Sequence, residues 1–381
     1  MFAYYSGEDH LIQRLVKRVL QELRKTPVGI ATYTVGLDSR LEKLKMRFTD
    51  DKSNRVQVLG LYGMGGIGKT TLAAALFNKL VGHFESRSFI SNIKDISEED
   101  GGLVTLQNKL LGDLFPGRPP LNDINDGIAV IKELCHEKRV LVVLDDVVDV
   151  NQLNVLAGKR DWFGEGSRVI VTTRNRDVLV EHLVNEFYEV RELGSSEALQ
   201  LFSYHALRRD NPTEEYLNIS KEIVSLTGGL PLALEVFGST LFNERGIKKW
   251  EDVLKKLREI RPGNLQDVLQ ISFNGLDDEE KFVFLDIACL FIEMRMKREE
   301  AIDILNGCGF RAETAITVLT VKCLIKIGGD YELWMHDQLR DMGRQIVRNE
   351  NLLDPGMRSR LWDRGDIMPM LKHKKVKIIT S

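Results

Sequence analysis

The run Gly63-Met64-Gly65-Gly66-Ile67-Gly68-Lys69-Thr70-Thr71 matches G-x-x-x-x-G-K-[ST]. Glycines reach backbone angles that side chains forbid, so several N–H groups can converge on one anion. A helix opening at the end of such a loop adds unpaired N–H groups and the positive end of its dipole. In that setting Lys69 reaches the outer phosphates of a nucleotide and the Thr70 hydroxyl holds Mg²⁺. A second group of chemistry-bearing residues lies in Arg139-Val140-Leu141-Val142-Val143-Leu144-Asp145-Asp146. Five consecutive apolar residues suit a strand buried on both faces, and ligands of open α/β sheets sit at the carboxyl ends of strands. That places Asp145 on a Mg²⁺ shell and Asp146 where it positions or polarises water, which suggests hydrolysis. The plain alternative is a pair of turn aspartates. The next strand, Arg168 to Thr173, ends at Arg174. Arg174 reads equally well as a phosphate-charge sensor and as a surface arginine paired with a loop carboxylate.

These residues need elements to hold them. Val56 to Tyr62 is short and apolar, as a buried strand is, and Leu72 to Leu80 is a strong helix former. Arg87 to Ile90 reads as a strand, and helices are expected near 103–114 and 128–135. Up to Arg174 the alternation of strand and helix predicts an α/β domain with a parallel sheet, and the pattern changes after about Tyr188 to Val190. Upstream, Leu11, Ile12, Leu15, Val16, Val19, Leu20 and Leu23 recur at helix spacing, and Asp38 is expected to cap a helix carrying Leu41, Leu44 and Phe48. Asp50 to Asn54 forms a polar loop.

Beyond Val190 the pattern turns helical. Helices are expected from a Ser195 cap, over 216–226, from Pro231 as a first helical residue, and over 250–260. Arg261-Pro262-Gly263 marks a boundary. Helices follow over 265–273, 278–290, 298–307 and 312–321. Cys323 to Ile327 and Tyr331 to Met335, joined by Gly328-Gly329-Asp330, read as a two-strand wing, and a last helix spans 337–347. Several helices and a hairpin suggest a winged helix. On sequence alone, Asp337 caps that last helix and His336 is a strand-end residue. The tail carries Arg358-Ser359-Arg360-Leu361-Trp362 and a basic cluster over 372–377 that reads as a solvated end.

Composition bounds the rest. A chain of 381 residues allows two or three domains. Its net charge of -3 gives no global electrostatic case for nucleic acid or a membrane surface. The cysteines Cys135, Cys289, Cys308 and Cys323 form no C-x-x-C pair, which argues for reduced thiols rather than a zinc ribbon or redox motif. There is no signal-peptide pattern at the N-terminus, and the longest apolar run, Phe282 to Ile292, contains Asp286 and is too short to span a bilayer.

Gly63–Thr71, Arg139–Asp146, Gly166–Arg174, Gly228–Leu234, Phe284–Phe291 and Met335–Asp337 occur in the order and spacing of the NB-ARC region of plant nucleotide-binding leucine-rich-repeat (NLR) disease-resistance proteins, which the chain resembles over nearly its whole length. Phe284 to Phe291, and Tyr33 to Arg40 with the helix before it, resemble the TIR-type subclass. Val148 departs from both subclasses, since the TIR group usually has an acidic residue there and the non-TIR group Trp.

The resemblance implies a P-loop NTPase domain followed by a small helical domain and a winged-helix domain. It divides the chain into a linker helix that would follow a TIR domain (1–30), the nucleotide-binding domain (31–190), the helical domain (191–262), the winged-helix domain (263–350) and a linker toward a leucine-rich repeat (351–381). It implies a cytoplasmic or nucleo-cytoplasmic ADP/ATP switch with Mg²⁺, closed with ADP, open and able to form homo-oligomers with ATP, and reset by weak, slow ATP hydrolysis. The adenine would lie against Val35, Gly36 and Pro231, His336 would meet the ADP β-phosphate, and Arg174 would sense the γ-phosphate. The TIR and leucine-rich-repeat domains of such receptors lie outside these residues, so the chain is expected to be a fragment or truncated product without NAD-cleaving activity. Two further readings stay in view: a nucleotide-regulated DNA-binding ATPase with a winged helix, and a fast mechanochemical ATPase.

Overall fold

The computed structural model describes residues 27–30, 33–48, 55–242, 246–259 and 265–372. The expected first helix, the polar loop over 50–54, Arg261-Pro262-Gly263 and nearly all of the basic cluster lie outside them. The chain divides into two compact units between Arg191 and Glu192.

The first unit opens with α1 (Leu37–Phe48), whose Leu41, Leu44 and Phe48 are buried. Asp38 lies inside its first turn rather than capping it. β1 (Gln57–Tyr62) leads through the glycine loop into α2 (Lys69–Leu80). Asn78 of α2 holds the earlier segment, accepting from the Val28 N–H at 2.9 Å and donating to the Val28 carbonyl at 2.8 Å. Then come β2 (Ser86–Ile90), α3 (Ile93–Glu98), α4 (Gly102–Leu114), α5 (Ile124–His136), β3 (Val140–Val147), α6 (Val150–Ala157), β4 (Arg168–Thr173) and β5 (Glu186–Glu189).

The strand pairs of this unit are parallel, in the order β2-β3-β4-β1-β5. β4 is buried at every position, and so is nearly all of β3, as a sheet covered by helices on both faces requires. α3 and α6 were not expected from sequence. Each is under three turns, too short for helical periodicity to stand out, though Asp149 and Gln152 build a capping box for α6.

The second unit contains α7 (Ser195–Leu207), α8 (Glu214–Leu226), α9 (Pro231–Phe242) and α10 (Ile247–Arg258). Ser195 is the first helical residue of α7, not its cap: Gly194 takes that position, and Glu197 reaches back to the Gly194 N–H at 3.3 Å. Pro231 opens α9, where its missing N–H costs nothing. Buried Trp250 of α10 meets Phe202 edge-on and Tyr216 at a tilt, tying three helices together.

α11 (Leu265–Asn274) and α12 (Asp278–Asp286) follow, and α12 continues into a π turn over Ile287–Phe291. Next are α13 (Arg298–Gly307), α14 (Ala312–Val321), β6 (Lys326–Ile327), β7 (Leu333–Trp334) and α15 (Asp337–Glu350). The wing is shorter than its sequence suggested. Only Lys326–Trp334 and Ile327–Leu333 pair, and Glu332 also bridges to Lys297.

α16 (Arg364–Lys372) closes the described chain. The segment before it is fastened rather than loose. Arg360, 8% exposed, donates to Asp286 at 2.5 Å and to the Phe282 carbonyl at 3.0 Å, and Arg344 lies over the Trp362 ring.

Candidate functional site

The site grows from the junction of β1 and α2. Gly68 sits at φ +94 with open space where a Cβ would be, so glycine is demanded by backbone angle alone. Gly63 is demanded twice: its φ is +150, and a Cβ would lie 2.6 Å from the Val190 carbonyl oxygen. No side chain caps α2. Its first intrahelical bond runs from Leu72 N–H to Gly68, which leaves the preceding N–H groups at the loop. Lys69 is the first residue of α2, 8% exposed, and donates to the carbonyls of Gly63 at 2.9 Å and Met64 at 2.8 Å. Burial, and then the Arg174 charge, lower its pKa from 10.5 to about 8, against the pull of Asp146 and Asp145. The lysine that would meet phosphate is therefore held in the loop by its own backbone.

β3 supplies the acid groups. Sequence reading ended the strand at the aspartates, yet it continues through them to Val147, with a register shift against β4 between Leu144 and Val147. Asp146 takes φ +58 at that irregularity. Such a bulge re-aims side chains at a sheet rim. Asp145 accepts from the Thr70 hydroxyl at 2.9 Å and from the Thr172 hydroxyl at 2.6 Å. Burial raises its pKa from 3.8 to about 6, although both hydroxyls pull it down. Asp146 turns the other way: its N–H donates to Thr172 at 2.9 Å, and its carboxylate lies 3.7 Å from Nε of Arg174.

The structure thus brings together Lys69, Thr70, Asp145, Asp146 and Arg174. A hydroxyl and a carboxylate already in contact form an oxygen donor set of the kind Mg²⁺ takes, and the backbone cradle beside them suits phosphate, so the residues fit both. Thr172 was missed by sequence reasoning. Its signal was available: it is the penultimate residue of the strand next to the aspartates' strand, just before Thr173-Arg174.

Val35 and Gly36 precede α1, with Gly36 at φ +68 accepting from the Ser39 hydroxyl at 3.1 Å. Pro231 and His336 belong to the second unit. There, His336 itself is the N-cap of α15: its Nδ1 accepts from the Gln338 N–H at 3.1 Å, and Asp337 accepts from that N–H at 2.8 Å. Nδ1 also lies 2.5 Å from the Asp337 carboxylate. Asp337, expected to be the cap, is the first helical residue.

A parallel sheet, a glycine loop entering a helix, and paired acids on an adjacent strand end define a P-loop NTPase domain, here joined to helical and winged-helix parts. The NB-ARC domain family matches residues 37–211, and the winged-helix domain described as that of Disease resistance protein Roq1-like matches residues 277–351. Disease resistance protein RPV1 of Vitis rotundifolia is 40% identical over 361 residues, which cover 94% of this chain and 25% of that protein. TMV resistance protein N of Nicotiana glutinosa is 36% identical over 355 residues, 92% of this chain and 30% of that protein. Among solved structures, a signal transduction ATPase with numerous domains (STAND) from Pyrococcus horikoshii, with a tetratricopeptide repeat sensor, has a TM-score of 0.50 at 20% identity, over 85% of this chain and 44% of that one. That last likeness speaks for the fold alone.

The chain belongs to the NB-ARC nucleotide-binding switch family of plant disease-resistance proteins of the TIR-NLR type. It spans between a quarter and a third of the length of these two relatives. Among the described residues, no helix is long and apolar enough to cross a membrane.

Proposed function

We propose that this chain is the nucleotide-operated switch of a plant immune receptor: ADP holds it closed, ATP opens it, and slow hydrolysis resets it. The observation that carries the reading is the joined set Lys69, Thr70, Asp145 and Thr172, formed at a phosphate cradle. Thr70 and Asp145 hold Mg²⁺, which supplies charge neutralisation at the phosphates. Asp146 orients water. Arg174 is shared with Asp146 by an ion pair, so a γ-phosphate competes with that carboxylate for the guanidinium. Val35, Gly36 and Pro231 take the adenine, and His336 takes the β-phosphate of ADP. In the whole receptor, TIR and leucine-rich-repeat domains are the partners, the ATP form oligomerises, and the protein works in the cytoplasm or between cytoplasm and nucleus.

Mass spectrometry of the nucleotide released from denatured protein tests this directly. ADP released in stoichiometric amount supports it. A well-folded protein that releases no nucleotide, and whose melting temperature ADP leaves unmoved, sinks it. Steady-state turnover near the enzyme median of roughly 10 per second would instead favour a mechanochemical ATPase. The DNA-binding alternative needs a basic recognition helix, and α14 carries Glu313 as its lone charged residue.

A further inference from the structure

We infer that Thr172 is a positioning residue for both aspartates: its one hydroxyl holds Asp145 beside Thr70 and, at the same time, fixes the backbone turn that sends Asp146 the other way. This deepens the switch reading above and, for its consequence on Mg²⁺, rests on it.

The register of β3 and β4 puts the threonine there. Leu144 lies opposite Val171, and the next paired positions are Val147 and Thr173. Asp145 and Asp146 therefore stand against Thr172 alone, two residues against one, as in a β-bulge. A bulge interrupts the ladder, and a backbone N–H released inside a buried sheet needs another acceptor. The Thr172 hydroxyl is that acceptor, taking the Asp146 N–H at 2.9 Å. With its oxygen engaged by a donor, the hydroxyl has its proton to give, and it donates to Asp145 Oδ1 at 2.6 Å.

The carboxylate is gripped from two sides. Oδ1 accepts from Thr172 at 2.6 Å and from Thr70 at 2.9 Å, while Oδ2 lies 3.2 Å from the Thr70 hydroxyl. Thr70 belongs to the helix that leaves the phosphate loop, and its oxygen is one that Mg²⁺ would draw on. Asp145 thus needs a hold that the metal does not share. Thr172, 1% exposed within the sheet, is that hold. Asp146 depends on the same group. It occupies φ +58, uncommon for a residue with a Cβ, and its N–H is anchored by the Thr172 oxygen. A buried strand would accept valine at this position as readily as threonine, so what threonine contributes is the hydroxyl.

The test compares affinity for a non-hydrolysable ATP analogue in Mg²⁺ and in EDTA, by titration calorimetry. Thr172→Val keeps the shape and removes the hydroxyl. It is expected to lower the ratio of the two affinities by about tenfold, the size of one hydrogen bond to a charged group. Thr172→Ser keeps the hydroxyl and is expected to restore the ratio. A role in folding alone would lower both affinities together and leave the ratio unmoved. In nucleotide-free protein, hydrogen exchange at the Asp146 amide is expected to quicken in Thr172→Val and not in Thr172→Ser, because only the first removes its acceptor.

An unmoved ratio in Thr172→Val overturns the inference, and so does a Thr172→Ser variant as impaired as the valine one. If Thr172→Val fails to fold, Thr172→Cys, whose thiol donates and accepts only weakly, decides by the same ratio. The two readings fail separately. Wild-type protein whose affinity for the analogue is equal in Mg²⁺ and EDTA defeats the Mg²⁺ assignment of the switch reading, while exchange at the Asp146 amide still decides whether Thr172 holds the two acids.

Discussion

The phosphate loop in the first unit and His336 in the second are built on opposite plans. Around the loop, function is redundant and rigid: one backbone cradle, two hydroxyls on one carboxylate, and a lysine held by two carbonyls, all on sheet rim and helix start. His336 is a single side chain at a helix start, whose Nδ1 accepts from the first turn of its own helix and whose ring meets Trp334 edge-on. On the reading proposed above, the first is a binding site and the second a switching contact. The first is over-determined, so that reading expects it to keep its hold on nucleotide when the second lets go. A contact resting on one imidazole can be surrendered at small cost, which a switch needs.

Breaking the over-determined half should cost the most. Lys69→Ala removes the one cation built into the loop, and charged hydrogen bonds of this kind are worth about 1.5–3 kcal/mol each. Affinity for ADP should fall by about 100-fold. The checking measurement is titration calorimetry beside the ADP-induced rise in melting temperature, which should vanish.

Asp145 gives the next effect, and it has a sign that depends on pH. Its folded pKa of about 6 stands above the unfolded 3.8. Between those values the folded chain keeps a proton that the unfolded chain has lost, so stability falls as pH rises through that window. Above it the ionised, buried carboxylate costs about 3 kcal/mol in the nucleotide-free protein. Asp145→Asn should therefore melt higher than wild type at pH 7 to 8, with the gap closing toward pH 4, while Mg²⁺-dependent nucleotide binding is lost. A variant that melts lower at pH 8 would show that the carboxylate is stabilising and that the burial argument fails. Arg174→Ala is smaller again: ATP affinity should fall by about tenfold and ADP affinity hold, since only the third phosphate competes for that guanidinium. Equal losses for both nucleotides would remove the sensor role.

What sequence revealed follows the same divide. The β1–loop–α2 unit, the buried β3 and β4, and Pro231 at a helix start were legible because each is written in a contiguous run with its own periodicity. Thr172 was not, because its role exists only once β4 lies beside β3 and its hydroxyl reaches a carboxylate 27 positions away. The bulge that separates Asp145 from Asp146 is likewise a property of strand pairing. Ser195 and Asp38 were read as caps but are the first and second residues of their helices, as fraying ends and several eligible caps invite. His336 was read as a bystander to an Asp337 cap, since histidine is not a residue that propensity assigns to that position.

His336→Ala is the smallest of the expected effects on stability and the one that sharpens the comparison most. Losing an N-cap costs typically about 1 kcal/mol, but here Asp337 already accepts from the same Gln338 N–H, so the loss should be below that. On the switch reading, ADP release should still quicken by about tenfold, because a donor to an anion is gone. Stopped-flow release of fluorescent ADP and a denaturation midpoint, measured on one preparation, separate the two. A stability loss well above 1 kcal/mol with unchanged release would make His336 a structural cap, and the two halves would then no longer differ in kind.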